Sequence, residues 1–136
     1  MRRSSSLPLA LVAVLAFAAC SNGSVTVADA GSGPEGWIRL SPTELSDRMA
    51  QEDVFLVNVH VPYEGEIPGT DVHIPYTQLA DRMDELPADQ TLVLYCRSGN
   101  MSMQAAQDLV AAGRTGFFEL DHGFLAWNEA GLPFEA

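Results

Sequence analysis

The residues best suited to chemistry in this chain lie in one stretch, Thr91-Leu92-Val93-Leu94-Tyr95-Cys96-Arg97-Ser98-Gly99-Asn100-Met101-Ser102. It opens as an apolar, β-favouring run too short for a helix and continues into a polar turn containing Gly99. Helical periodicity resumes after Ser102. Cys96 therefore stands where a strand stops and a turn begins. A thiol there faces the N–H groups of the turn and the positive end of the following helix, which favour thiolate over thiol. Reactions that use sulfur as a nucleophile need that ionised form. Cys96 is the candidate nucleophile, and Arg97, Ser98, Gly99, Asn100, Met101 and Ser102 form the candidate loop around it. The competing reading of a lone cysteine is an inert core residue.

The elements that must position this loop follow in order. Trp37 to Leu40 alternates and reads as a short edge strand. Ser41-Pro42-Thr43-Glu44 marks a helix start, with Ser41 as N-cap, Pro42 at the first helical position and Glu44 completing a capping box. That helix is expected to reach about Gln51, with Leu45 and Met49 inward. Val54 to Val61, an apolar run broken by Asn58 and His60, reads as a strand buried on both faces. A Pro- and Gly-containing loop from Pro62 to Thr70 precedes a short strand, Val72 to Ile74. Leu79, Met83 and Leu86 stripe a second helix ended by Pro87. A third helix spans about Ser102 to Ala112, with Met103, Ala106, Leu109 and Val110 on one face and Gly113 closing it. Phe117 to Leu120 is the last strand, and Gly123 to Ala130 a short helix carrying Phe124 and Trp127.

Strands alternating with helices at this spacing predict an α/β domain: a mostly parallel, helix-covered sheet. Ligand sites in such sheets form at the carboxyl ends of strands. Cys96, His60 and His122 all fall at such ends, so three loops are expected to converge. His60 and His122 are candidates for the rim of the site, the alternative being that each hydrogen-bonds at a loop base. His73 is read as structural. Three histidines without ligand spacing and one domain cysteine make a poor metal set, and neither metal nor cofactor is expected.

The N-terminus carries its own signals. Met1-Arg2-Arg3 is a positive start, Leu7 to Ala18 is an apolar run too short to span a bilayer, and Ala18-Ala19-Cys20 supplies small residues before a cysteine. Residues 1–19 read as a removable signal resembling that of bacterial lipoproteins. Cys20 would then be lipidated, with residues 20–35 as a flexible tether and 36–136 as the folded domain; the alternative is plain cleavage to a secreted protein. The expected location is the cell envelope, outside the cytoplasm, held to a membrane through Cys20. The chain has 7 Lys+Arg, all arginine, against 18 Asp+Glu. Without Arg2 and Arg3 the balance is 5 against 18, a net charge near −13. Nucleic acid is excluded as a partner, because it requires clustered positive charge. Any anion site must be built locally.

With its elements in this order, the region from Trp37 to Phe134 resembles the rhodanese-like, single-domain sulfurtransferase family. The match is carried by Leu56-Val57-Asn58-Val59, Ile67-Pro68-Gly69-Thr70, His73-Ile74-Pro75, Tyr95-Cys96-Arg97-Ser98-Gly99-Asn100 and Leu120-Asp121-His122-Gly123-Phe124-Leu125-Ala126-Trp127. The resemblance implies a three-layer fold with a central sheet of about five strands. It also implies a Cys96 persulfide that takes sulfur from a small donor of the thiosulfate or 3-mercaptopyruvate type. The acceptor would be a thiol, a cyanide-like nucleophile or a partner protein. The amides from Arg97 to Ser102 would cradle the outer sulfur, and the chain is expected to act as a monomer. The chain departs from the family at Asn58, often acidic, at His60, often arginine, at Met101, often basic, and at His122, often glycine. Two rival functions are a phosphatase or arsenate reductase, and a binding module without turnover. The former, of the C-x5-R type, needs arginine six residues after the cysteine to grip an oxyanion, and Ser102 stands there.

Overall fold

A computed structural model describes residues 35–136. The expected signal, the lipidation site Cys20 and nearly all of the tether lie outside the described residues. Five strands, β1 (Trp37–Leu40), β2 (Val54–Asn58), β3 (Val72–His73), β4 (Thr91–Tyr95) and β5 (Phe117–Leu120), form one sheet in the order β1-β5-β4-β2-β3. Every pairing in it is parallel. Three α-helices, α1 (Pro42–Gln51), α2 (Asn100–Ala111) and α3 (Gly123–Glu129), and one 3-10 segment, Ala80–Glu85, cover it. The α/β class, the parallel sheet of five strands and the edge position of Trp37–Leu40 are as expected.

Side chains alternate across a strand, and that alternation divides the core into two layers. Along β4, Leu92, Leu94 and then Cys96 join Val57, Ala105, Ala106, Leu109 and Phe117 on the face covered by α2. Val93 and Tyr95 point the other way, toward Leu45, Leu56, Phe124 and Trp127 beneath α1 and α3. Cys96 thus ends a strand whose every side chain beyond Thr91 is buried.

The local signals at α1 operate as written. Ser41 Oγ accepts from Glu44 N–H while the Glu44 carboxylate accepts from Ser41 N–H at 2.8 Å, the reciprocal bonds of a capping box. These bonds hold the Glu44 carboxyl below its ordinary range. Leu45 is buried and Met49 half-buried, as the pattern requires.

Four boundaries differ. β2 stops at Asn58, not Val61, because the Asn58 side chain takes over from the ladder. Its Oδ1 accepts from His60 N–H at 3.0 Å and its Nδ2 donates to Gly65 O at 3.0 Å, folding the chain back into the 62–70 loop. The second helix is a kinked 3-10 segment rather than an α-helix. Leu79 at its start offers no capping side chain, and Arg82 leaves helical geometry at φ −110° and ψ 24°. Leu79 and Leu86 still bury, so the apolar stripe reports burial rather than helix type. Helix α2 begins two residues earlier than expected, at Asn100, so Met101 and Ser102 lie inside its first turn. The strand expected over Val72 to Ile74 keeps two residues, Val72–His73.

Candidate functional site

The turn after β4 closes around the sulfur. Gly99, with φ 98°, adopts the left-handed conformation that lets the chain reverse into α2, and its N–H donates to Cys96 Sγ at 3.1 Å. Ser102, one turn into the helix, brings its Oγ within 3.3 Å of the same sulfur. Cys96 is only 1% exposed, and both groups around its sulfur are buried.

The remaining loop residues divide by direction. Arg97, Ser98 and Asn100 are exposed on the crest, and Met101 is half-buried against the core face beneath α2. Cys96, Gly99 and Ser102 therefore converge inside the loop, whereas the Arg97 side chain lies on its outside. The arginine that C-x5-R chemistry requires has no counterpart: its place holds the small, buried Ser102 hydroxyl.

The third loop packs onto this turn from the β5 side. Phe124 N–H donates to Cys96 O at 2.9 Å and Leu125 N–H to Arg97 O at 3.0 Å, so the first turn of α3 ties down the backbone that carries the sulfur. That approach has no room for a side chain at Gly123. A Cβ there would lie 2.3 Å from Cys96 O and 2.5 Å from Arg97 C. His122, just before it, takes φ 57°, the one left-handed non-glycine among the described residues. Its side chain is exposed and lines a cavity of about 260 Å³ with Ser98, Leu125, Ala126 and Glu129.

His60 lies at the base of the second loop and is 6% exposed. Its ring pairs with Glu64 and meets Phe124 edge-on at 5.6 Å between centroids. Nε2 of His73 bonds His60 O at 2.6 Å, which gives His73 the structural position expected of it. Tyr95, the last residue of β4, anchors the same loop: its hydroxyl accepts from Ile67 N–H at 3.1 Å and bonds Thr70 Oγ1 at 2.7 Å. Burial pushes the Tyr95 phenol up to about 12. The second loop therefore meets α3 through His60 and Phe124, and α3 in turn ties down the cysteine turn, while only Gly99 and Ser102 approach the sulfur itself. Among the described residues, no three His, Cys, Asp or Glu side chains are grouped to hold a metal ion.

One residue of this neighbourhood escaped sequence reasoning. Glu119, in β5, is 0% exposed, and its Oε1 accepts from Ser102 Oγ at 2.5 Å. Its Oε2 has no hydrogen-bond partner among the described residues; Arg39 Nε stands 3.7 Å away. Burial, assisted weakly by Asp121, pushes this carboxyl up to about 7 against the lowering influence of the Ser102 hydrogen bond and Arg39. The available signal was a carboxylate inside the otherwise apolar Phe117-Phe118-Glu119-Leu120 of a sheet covered on both sides.

A parallel five-stranded sheet with a buried cysteine at the carboxyl end of its central strand defines the class, and the chain belongs to the rhodanese-like domain family, whose profile matches residues 41–130. Among its relatives, a sulfurtransferase of Allochromatium vinosum is 41% identical over 101 residues, covering 71% of this chain and 94% of that protein. The thiosulfate sulfurtransferase GlpE of Vibrio cholerae is 31% identical over 90 residues, 65% of this chain and 85% of that one. An HTH-type transcriptional regulator of Mycobacterium tuberculosis is 39% identical over 132 residues, and there the chain spans only 56% of the relative's length. Among solved structures, the rhodanese-like domain of an Anabaena protein superposes with a TM-score of 0.64 at 24% identity, over 72% of this chain and 78% of that one. The last likeness establishes the fold; the sulfurtransferase relatives place the chain in a sulfurtransferase family.

Proposed function

We propose that this protein is an envelope-anchored sulfurtransferase or persulfide carrier in which Cys96 is the nucleophile. The observation that carries the reading is the setting of the Cys96 sulfur, at the carboxyl end of β4 with the Gly99 N–H at 3.1 Å and the Ser102 hydroxyl at 3.3 Å. The Gly99 N–H donates to the sulfur and can stabilise negative charge there, and the Ser102 hydroxyl can do so when its proton turns from Glu119. With a thiosulfate-type donor, the thiolate attacks the sulfane sulfur. A new S–S bond forms at Cys96, the donor's own S–S bond breaks, and sulfite leaves with the bonding pair. An acceptor thiolate or cyanide then attacks the outer sulfur and returns the electron pair to Cys96. The sequence supports export and a lipid tether at Cys20, which would hold the domain at the membrane surface on the extracytoplasmic side.

The purified protein, treated with thiosulfate or 3-mercaptopyruvate and weighed by mass spectrometry, is expected to gain one sulfur that cyanide removes and that Cys96→Ser cannot accept. The 1% exposure of Cys96 favours one second reading, a module that binds a partner without turnover. Failure to gain sulfur from either donor selects that reading. Anchoring has its own readout: Cys20→Ala should move the protein from the membrane fraction to the soluble one, and unchanged fractionation refutes the lipid anchor.

A further inference from the structure

Glu119 lies on the same face of the sheet as Cys96. The β4–β5 register pairs Leu94 with Glu119, and Leu94, Cys96 and Phe117 all belong to the core layer beneath α2. The Ser102 hydroxyl stands between the two ionisable groups, 3.3 Å from Cys96 Sγ and 2.5 Å from Glu119 Oε1. It also lies 3.2 Å from Gly99 O, but its single proton can serve only one strong bond at a time. All three side chains are buried. Two negative charges this close, away from water, repel strongly, whereas one charge is tolerated.

We propose that Glu119 is a positioning residue for Cys96: thiol and carboxyl share one proton through Ser102, so that the thiolate forms with Glu119 neutral. In the transfer, the S–H proton passes to Ser102 Oγ as the Ser102 proton passes to Glu119 Oε1. The products are a thiolate and a carboxylic acid, with no net change of charge. Ser102 then donates to the sulfur beside the Gly99 N–H and accepts from the Glu119 O–H, so each proton of the chain is used. The groups facing Glu119 are Arg39 from β1, Asp121 beyond the end of β5, Ser102 from α2 and Cys96 from the end of β4. Of these, Arg39 favours the carboxylate and Asp121 the acid; burial tips the balance toward the acid near neutrality.

The inference deepens the reading of Cys96 as nucleophile, but its test uses no sulfur donor, so either can fail alone. The rate at which iodoacetamide alkylates Cys96 in the purified protein is measured across pH. Two groups sharing a proton titrate as a pair with macroscopic steps that belong to neither. The wild-type profile should therefore rise as the first of the two protons leaves, hold a shelf while thiol and carboxyl share the remaining one, and rise again as that proton leaves, about one pH unit or more higher. Glu119→Gln keeps the shape and a hydrogen-bond donor toward Ser102 but cannot ionise, so its profile should be a single rise without the shelf. Superimposable profiles overturn the proposal. Should Glu119→Gln fold poorly, Cys96→Ala serves from the other side. The infrared band of the buried protonated carboxyl should titrate away in two steps in the wild type and in one in Cys96→Ala, and identical curves in both overturn the proposal.

Discussion

His122 holds φ 57°, a conformation in which Cβ crowds the neighbouring backbone and which costs an ordinary residue about 1–2 kcal/mol. Histidine is among the residues that tolerate it best, yet nothing in the backbone prefers it to glycine. Its ring is exposed and lies 3.6 Å from Asp121 Oδ2, a surface contact that solvent makes weak. His122→Gly should therefore stabilise the fold, by up to about 1 kcal/mol once the greater freedom of glycine in the unfolded chain is subtracted. Urea unfolding of the two proteins measures this. A loss of stability would mean that the ring makes a contact worth more than the strain.

At the scale of elements, α3 does for the cysteine loop what a side chain cannot. A seven-residue helix contributes little stability alone. The Phe124 and Leu125 N–H groups of its first turn seat on the carbonyls of Cys96 and Arg97, and Phe124 and Trp127 bury on the opposite layer from the sulfur. The seat depends on Gly123. Gly123→Ala places a Cβ 2.3 Å from a backbone oxygen at a left-handed φ of 58°, so α3 or the loop must shift. The expected cost is on the order of 3 kcal/mol, with Cys96 alkylation by iodoacetamide accelerated because its loop is released. Denaturant unfolding reads the first effect and alkylation kinetics the second. An alanine variant of wild-type stability would show the backbone yielding without cost.

For the molecule as a whole, Glu119 couples stability to pH. Its ordinary value of 4.5 is pushed up to about 7, chiefly by burial. Between those values the folded chain holds a proton that the unfolded chain has released. Stability contributed at this position is thus full below about pH 4.5, falls as pH rises through the window and levels off above about 7. At roughly 1.4 kcal/mol per pH unit the window is worth on the order of 3 kcal/mol. Glu119→Gln does not titrate, so the variant should gain on the wild type as pH rises from about 4.5 to about 7. Comparing the two proteins cancels the other carboxylates, among them Glu44, whose capping bonds act in the opposite direction. A stability difference that stays constant with pH would count against burial as the cause.

Much of this arrangement was legible from residues alone. The strand–turn–helix around Cys96, the capped start of α1 and the βα alternation that implies a parallel sheet are local patterns, and local patterns act through backbone propensity and periodicity. The 3-10 segment was misread as a helix because an apolar stripe records which side chains bury, and two different helices can bury Leu79 and Leu86. Glu119 was missed for a different reason. An acidic residue in a four-residue strand faces water in an edge strand and the core in a central one, and only the order β1-β5-β4 puts β5 inside the sheet. The sequence by itself determined the cysteine and its loop, which lie within one short stretch, and the class of fold, because the order of strands and helices along the chain is itself a sequence of local patterns. The tertiary structure alone decided that a carboxyl seventeen positions beyond Ser102 lies against its hydroxyl, because that distance is set by sheet order and side-chain alternation rather than by separation along the chain.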